Sequence, residues 1–178
     1  SVLLQGYPDL EYIIIDGGST DESVAIIEKY APWLAYWVSE PDGGQADAIN
    51  KGFARATGEI YAWLNSDDLY EPGAFHTVSA YFAEHPACVF LYGTGWITDE
   101  EGHKERRAHW VRPFDHRLLV TKDIILQPAA FWRRALWAKA GGVDPAYHWG
   151  LDWEWFIRAT ACAAAPAYLA VDLAQWRH

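Results

Sequence analysis

Basic residues are scarce in this 178-residue sequence: 14 lysines and arginines stand against 24 aspartates and glutamates, a formal net charge of -10. That field repels nucleic acid and anionic lipid surfaces and excludes both as general partners. A phosphate-bearing ligand would have to be drawn in by a local positive element such as a metal ion. Long apolar runs are absent too. A bilayer span takes about 20 consecutive apolar residues, and none is found; nor does a basic segment followed by a hydrophobic one open the chain. Only two cysteines occur, Cys88 and Cys162. They lack metal-ligand spacing and read as inert, buried thiols of a reducing compartment. The seven histidines are scattered without the short spacing of a zinc site. Repeats, low-complexity tracts and Pro/Ser-rich linkers are missing, so the chain reads as one domain, 1–178, with 51% apolar residues to build its core.

What is present alternates. The run Glu11-Tyr12-Ile13-Ile14-Ile15 reads as a buried strand stopped by Asp16-Gly17-Gly18-Ser19-Thr20-Asp21. Thr20 or Asp21 is expected to cap a helix ending near Tyr30, followed by a strand over 34–39 and a turn at Pro41-Asp42-Gly43-Gly44. Ile49, Phe53 and Ala56 recur at helical spacing after Gln45. A third strand over 59–64 ends in Asn65-Ser66-Asp67-Asp68, and Pro72 opens a helix with Phe75, Val78 and Phe82 on one face. Two strands are expected at 88–92 and 96–98. The basic stretch 104–107 then opens a less regular region, read chiefly as a solvated charge run and alternatively as a hold on a charged acceptor. Gln127-Pro128 leads into a strand over 129–132, a last helix covers 151–162 and a closing strand 168–173. Residues 1–5 read as the end of a helix that begins upstream. Strand, helix, strand alternation predicts an α/β fold with a doubly wound, mostly parallel sheet and helices on both faces, a three-layer α/β/α arrangement.

In such a sheet, ligands bind beyond the carboxyl ends of the strands. Asp16, and Asp67 with Asp68, would project there into one crevice, where adjacent carboxylates repel unless a hard divalent cation sits between them. Taken singly, each cluster reads more readily as helix and turn caps. A third acidic site shifts that balance: Trp149-Gly150-Leu151-Asp152-Trp153-Glu154 places a carboxylate at a helix start among indole rings, where desolvation can raise its basicity. Residues two apart on a helix do not share a face, so Asp152 and Glu154 should have different jobs. Of the 11 tryptophans, most should be core and some, with Trp149, Trp153 and Trp155 foremost, platforms for a sugar ring.

These three motifs, with Gly43-Gly44-Gln45-Ala46-Asp47-Ala48-Ile49-Asn50-Lys51-Gly52 between them, resemble in order and spacing those of the inverting family 2 glycosyltransferases of GT-A fold. The resemblance runs over nearly the whole chain. It implies that Asp16 contacts the uracil or ribose of a nucleotide-diphosphate sugar, most simply a UDP-sugar. Asp67 and Asp68 would hold a magnesium or manganese ion on the diphosphate. Asp152 would be the base that deprotonates a hydroxyl acceptor, with Trp149, Trp153 and Glu154 on the acceptor side. Gln127-Pro128 falls where the family places a loop near the acceptor and diphosphate, though a turn before a strand explains it equally well. Arg177-His178 falls where relatives carry a basic residue or histidine near the diphosphate, and a frayed terminus is the simpler reading. The chain departs from the pattern at Asn65, where many members carry the first aspartate of a DxD motif, and at Leu151, where some carry glutamate. The family's first strand would lie before Ser1, so the domain is expected to be truncated at both ends. The implied partners are a nucleotide sugar and a carbohydrate or lipid-linked acceptor in cell-envelope polysaccharide synthesis. The implied location is the cytoplasm, with peripheral attachment at the inner face of the membrane open for the full-length protein. A sugar-nucleotide pyrophosphorylase, or a non-catalytic sugar-binding module of the same fold, stands as the alternative.

Overall fold

The β-branched run before the first aspartate loop forms β1 (Ile13–Asp16), and a parallel partner follows as β2 (Tyr36–Ser39), with α1 (Ser23–Tyr30) crossing between them. The computed structural model describes residues 1–177. The expected third strand is short, β3 (Ile60–Tyr61), and follows α2 (Gln45–Arg55), which packs on β1 with Gly52 against Ile15. The aspartate loop then leads to β4 (Leu69–Tyr70) and α3 (Ala74–Glu84), whose Val78 and Phe82 are buried as their spacing predicts.

The strands expected at 88–92 and 96–98 are one, β5 (Phe90–Thr98). Gly93 and Gly95 do not break it, because they let β8 (Ala167–Arg177) approach in parallel: a Cβ on Gly95 would lie 2.1 Å from the Ala174 carbonyl oxygen. The basic stretch is also ordered, as the exposed edge strand β6 (Lys104–Arg107). On it Lys104 pairs with Glu71, and Arg107 reaches Asp172 at 2.9 Å. A short α4 (His116–Leu119), then β7 (Ala130–Arg133), α5 (Arg134–Ala140) and α6 (Leu151–Ala161) complete the chain.

The α/β class is as expected, but the pairing is mixed rather than mostly parallel. The larger sheet runs β3-β7-β5-β8-β4 with β6 on β5, and β1-β2 form a pair of their own. Among the described residues only β1/β2 and β5/β8 are parallel. The hairpin joining β5 to β6 is too short for anything but an antiparallel return. Between β3 and β5 runs β7, antiparallel to both. Its far end meets a knot of rings: Trp132 lies 4.5 Å from Trp155 and 5.2 Å from Trp63 between ring centres, and Trp132 and Trp155 are fully buried. Trp63, Trp132 and Trp155 are buried, Trp110, Trp137, Trp153 and Trp176 pack half-buried against the core, and Trp33 and Trp149 stand out in solvent. Cys88 and Cys162 are free thiols, half-buried.

Candidate active site

The first aspartate loop is built around its own carboxylate. Asp16 accepts the Gly18 and Ser19 amides at 3.1 and 2.9 Å, the Ser19 hydroxyl at 2.5 Å and the Ser39 hydroxyl from β2 at 2.6 Å. Four donors to one carboxylate, the Ser19 hydroxyl foremost, hold its pKa down at about 2. The loop lies against the 41–44 turn so closely that a Cβ on Gly17 would sit 3.0 Å from an Asp42 carboxylate oxygen, and one on Gly18, at φ +86°, 3.2 Å from the Pro41 nitrogen.

That turn opens α2, and Gln45 in its first turn donates to Asn65 Oδ1 at 2.8 Å, tying the helix to the second aspartate loop. There Asp67 is exposed and Asp68 buried. Asp68 accepts hydrogen bonds from neutral groups, the Arg177 backbone N–H at 3.0 Å and the Asn65 amide at 3.3 Å. Burial chiefly, with the charge of Asp67 adding to it, pushes its carboxyl up to about 7. Gln127 is buried beside it, donating to the Trp63 carbonyl at 2.8 Å and facing Asn65 at 3.4 Å. Arg177 is thus an ordered part of β8 rather than a frayed end, and its Nε is buried without a partner. His178 lies outside the described residues.

On its other side the start of α2 meets the third motif. Gly43, Gly44, Gln45 and Ala46 enclose a cavity of about 50 Å³ with Pro145, Tyr147, His148 and Leu151. Gly150, in the left-handed region at φ 64°, then turns the chain into α6, and Asp152 falls in its first turn. Asp152 is half-buried, and burial raises its pKa. Trp153 donates its indole N–H to the Leu119 carbonyl at 2.6 Å, clamping α4 and the connector after it onto α6. In that connector sits Asp123, also half-buried, whose carboxyl is pushed up to about 7, by burial first and further by the charge of Asp152.

Asp123 was not apparent in the sequence. The one signal was its place before Ile124 and Ile125, both buried, where an aspartate folds back on the chain: it accepts the Ile125 N–H at 2.9 Å. The other acceptor-side residues divide. Trp149 is 91% exposed, free to present its face to a ligand, whereas Trp155 is 0% exposed and belongs to the core. Glu154 is drawn into a two-pronged ion pair with Arg158, both contacts 2.7 Å, and Arg158 also holds the Ala140 and Gly142 carbonyls. It braces α6 against the turn after α5, away from Asp152, as the two-residue spacing predicts. Among the described residues one group of three metal-ligand side chains occurs, Asp99, Glu101 and His103 at the β5–β6 turn, with ligand atoms within 4.8 Å of one another; Asp67 and Asp68 belong to no such group.

Comparison with known proteins identifies the family and the fold. The family model "Glycosyl transferase family 2" matches residues 1–139. An uncharacterized glycosyltransferase of Mycobacterium tuberculosis is 36% identical over 154 residues, covering 84% of this chain and 57% of the relative. The PGL/p-HBAD biosynthesis glycosyltransferase of the same species is 33% identical over 171 residues, covering 94% and 63%. The chain therefore spans about 57–63% of the length of these relatives. Among solved structures, Staphylococcus aureus TarS 1-349 in complex with UDP-GlcNAc superposes with a TM-score of 0.80 at 19% identity, over 99% of this chain and 53% of that one. The mannosyltransferase PcManGT from Pyrobaculum calidifontis, in complex with GDP-Man and Mn2+, gives 0.71 at 18% identity, over 98% and 50%. The shared architecture is the GT-A form of the α/β fold.

Proposed function

Because this chain belongs to glycosyl transferase family 2, we propose that it forms the catalytic core of an enzyme moving a sugar from a nucleotide-diphosphate donor, a UDP-sugar, to a hydroxyl of a carbohydrate or lipid-linked acceptor, with inversion. The observation that carries this reading is the place of residues 41–46. One short segment touches the Asp16 loop, the Asn65–Asp68 loop and the 145–151 approach to Asp152, and so links three motifs far apart in sequence. TarS and PcManGT, of the same fold, have been seen with UDP-GlcNAc and with GDP-Man and Mn2+. The family match favours transfer to an acceptor over the pyrophosphorylase alternative.

In this reading Asp16, pre-ionised by four donors, accepts hydrogen bonds from the uracil or ribose. The acidic pair suits a divalent cation, magnesium or manganese: Asp67 is exposed, while Asp68 is a buried carboxylate that accepts from the Arg177 backbone N–H and the Asn65 amide, with the Arg177 charge also acting on it. A bound ion would neutralise the diphosphate and stabilise it as the leaving group. Gln127 borders that site. Asp152 takes the proton of the attacking hydroxyl, its basicity raised by burial. Trp149 and the half-buried Trp153 flank it as an apolar wall for the acceptor, Trp149 offering its open face. Residues of one face thus bind the donor and those of the other activate the acceptor.

Calorimetry of UDP with the intact protein tests the donor half: affinity should be strong in manganese and collapse in EDTA, and equal affinity in both would refute the metal bridge. Asp152→Asn keeps shape and removes the basic oxygen, so turnover should fall by roughly a hundredfold to ten-thousandfold with donor affinity unchanged. Near-normal turnover would remove Asp152 from the role.

A further inference from the structure

We propose that Asn65 is a positioning residue whose side-chain amide, anchored to α2 through Gln45, sets the orientation of Asp68 and Gln127, and that a carboxylate cannot replace it. The inference rests on the reading of Asp67 and Asp68 as donor-site carboxylates. Its starting point is a group whose polarity is fixed: the Trp63 carbonyl can only accept, so Gln127 must turn its Nε2 toward it, at 2.8 Å. The Oε1 of Gln127 is then left facing Asn65, which must answer with its Nδ2, at 3.4 Å. The same Nδ2 lies 3.3 Å from Asp68 Oδ2, and the other Asp68 oxygen is already taken by the Arg177 N–H at 3.0 Å. Asn65 Oδ1 therefore points away from the carboxylates, where Gln45 Nε2 meets it at 2.8 Å. Each donor in the relay has an acceptor, from α2 through the second aspartate loop to the backbone of Trp63.

The relay needs a side chain with an acceptor at one end and two donor hydrogens at the other, spanning the gap between Gln45 and two acceptors. At this length an asparagine amide provides that. Aspartate has the same shape and would still accept from Gln45, but ionised it offers no donor to Gln127 or Asp68. Three acceptor groups would then converge, two of them carboxylates, around residues that are only 7% and 3% exposed. Buried acceptors left without donors are costly. The departure from an aspartate at this position is accordingly a different device and not a weakened metal ligand: Asn65 spends its oxygen on α2, and its contribution to the donor site is the aim of its neighbours.

Three experiments on the intact protein test this. Asn65→Asp, which writes an aspartate back into the motif, should weaken manganese-dependent UDP binding by calorimetry roughly ten- to a hundredfold, the worth of a lost hydrogen bond to a charged group. Binding as tight as wild type or tighter would overturn the proposal, because the new carboxylate would then be acting as a ligand. Gln45→Ala removes only the exposed anchor, so it serves even where Asn65→Asp folds poorly; it should weaken UDP binding in the same direction by a smaller factor, and no change would count against the relay. A melting-temperature cycle of Asn65→Ala, Gln127→Ala and the double variant, in EDTA without nucleotide, reads the relay alone. Non-additive losses support it and strict additivity overturns it. Wild-type protein that binds UDP equally in manganese and EDTA would instead sink the donor-site reading, and the cycle would still judge the relay.

Discussion

Replacing Asp123 by asparagine isolates a carboxyl that folding has to keep protonated. Asparagine preserves the size and the acceptor for the Ile125 N–H, and removes only the titrating group. Burial first, and the neighbouring Asp152 charge second, move this carboxyl from 3.8 to about 7. The folded chain therefore holds a proton that the unfolded chain releases once the pH passes 3.8. With the unfolded state binding fewer protons, stability falls as the pH rises through that window and levels off above about 7. Linkage gives a loss on the order of 2–3 kcal/mol between about pH 5 and pH 8. Partial access of solvent to the half-buried group reduces it to about 1 kcal/mol. Asp123→Asn should escape this loss, so its melting temperature should gain on that of wild type by roughly 2–4 °C across the same range for a domain of this size. Asp68, with its own raised carboxyl, titrates in both proteins and cancels in the difference. Thermal melts at three pH values without ligand suffice. Curves that run parallel from acid to alkaline pH would refute the claim that Asp123 sits desolvated against Asp152.

Three further substitutions probe the packing and the acceptor wall. Gly95→Ala should cost about 3 kcal/mol or more in denaturant unfolding, since the added Cβ meets the Ala174 backbone carbonyl of the neighbouring strand rather than a side chain able to move; a loss under about 1 kcal/mol would mean the β5–β8 contact is looser than described. Trp149→Ala should leave stability within about 0.5 kcal/mol while weakening acceptor saturation. Trp155→Ala should instead cost about 3–5 kcal/mol, and the reverse pattern in the two melts would contradict the assignment of one ring to solvent and the other to the core.

What could be read from the sequence followed from patterns that act locally. The run before Asp16, the apolar spacing of α2 and α3 and the turn residues after each strand located β1, α1, α2, α3 and α6 within a few residues of where they lie. The same local reading split β5 in two, because a glycine weakens a lone strand, whereas here Gly93 and Gly95 are required by the closeness of β8, a partner some 80 residues away in the chain. It likewise treated 104–107 as a solvated charge run; Lys104 and Arg107 are indeed on the surface, but their partners Glu71 and Asp172 lie on other segments, and the strand exists because β5 offers it an edge. The candidate site shows the same division. Asp16 stands out because it ends a strand before two glycines, Asp152 because it opens a helix beside tryptophan, and Asp67 with Asp68 because two adjacent carboxylates follow an expected strand. Asp123 does not, since what distinguishes it is proximity to Asp152, created only when Trp153 clamps the end of α4. Asn65 is the intermediate case: its identity was noticed as a departure, but its meaning depends on which way an amide faces. That is decided by the Trp63 carbonyl through Gln127, three residues on three segments that no spacing rule connects. Motifs in such a chain thus mark where chemistry can occur, while the polarity and basicity of each group are set by contacts that exist only in the folded molecule.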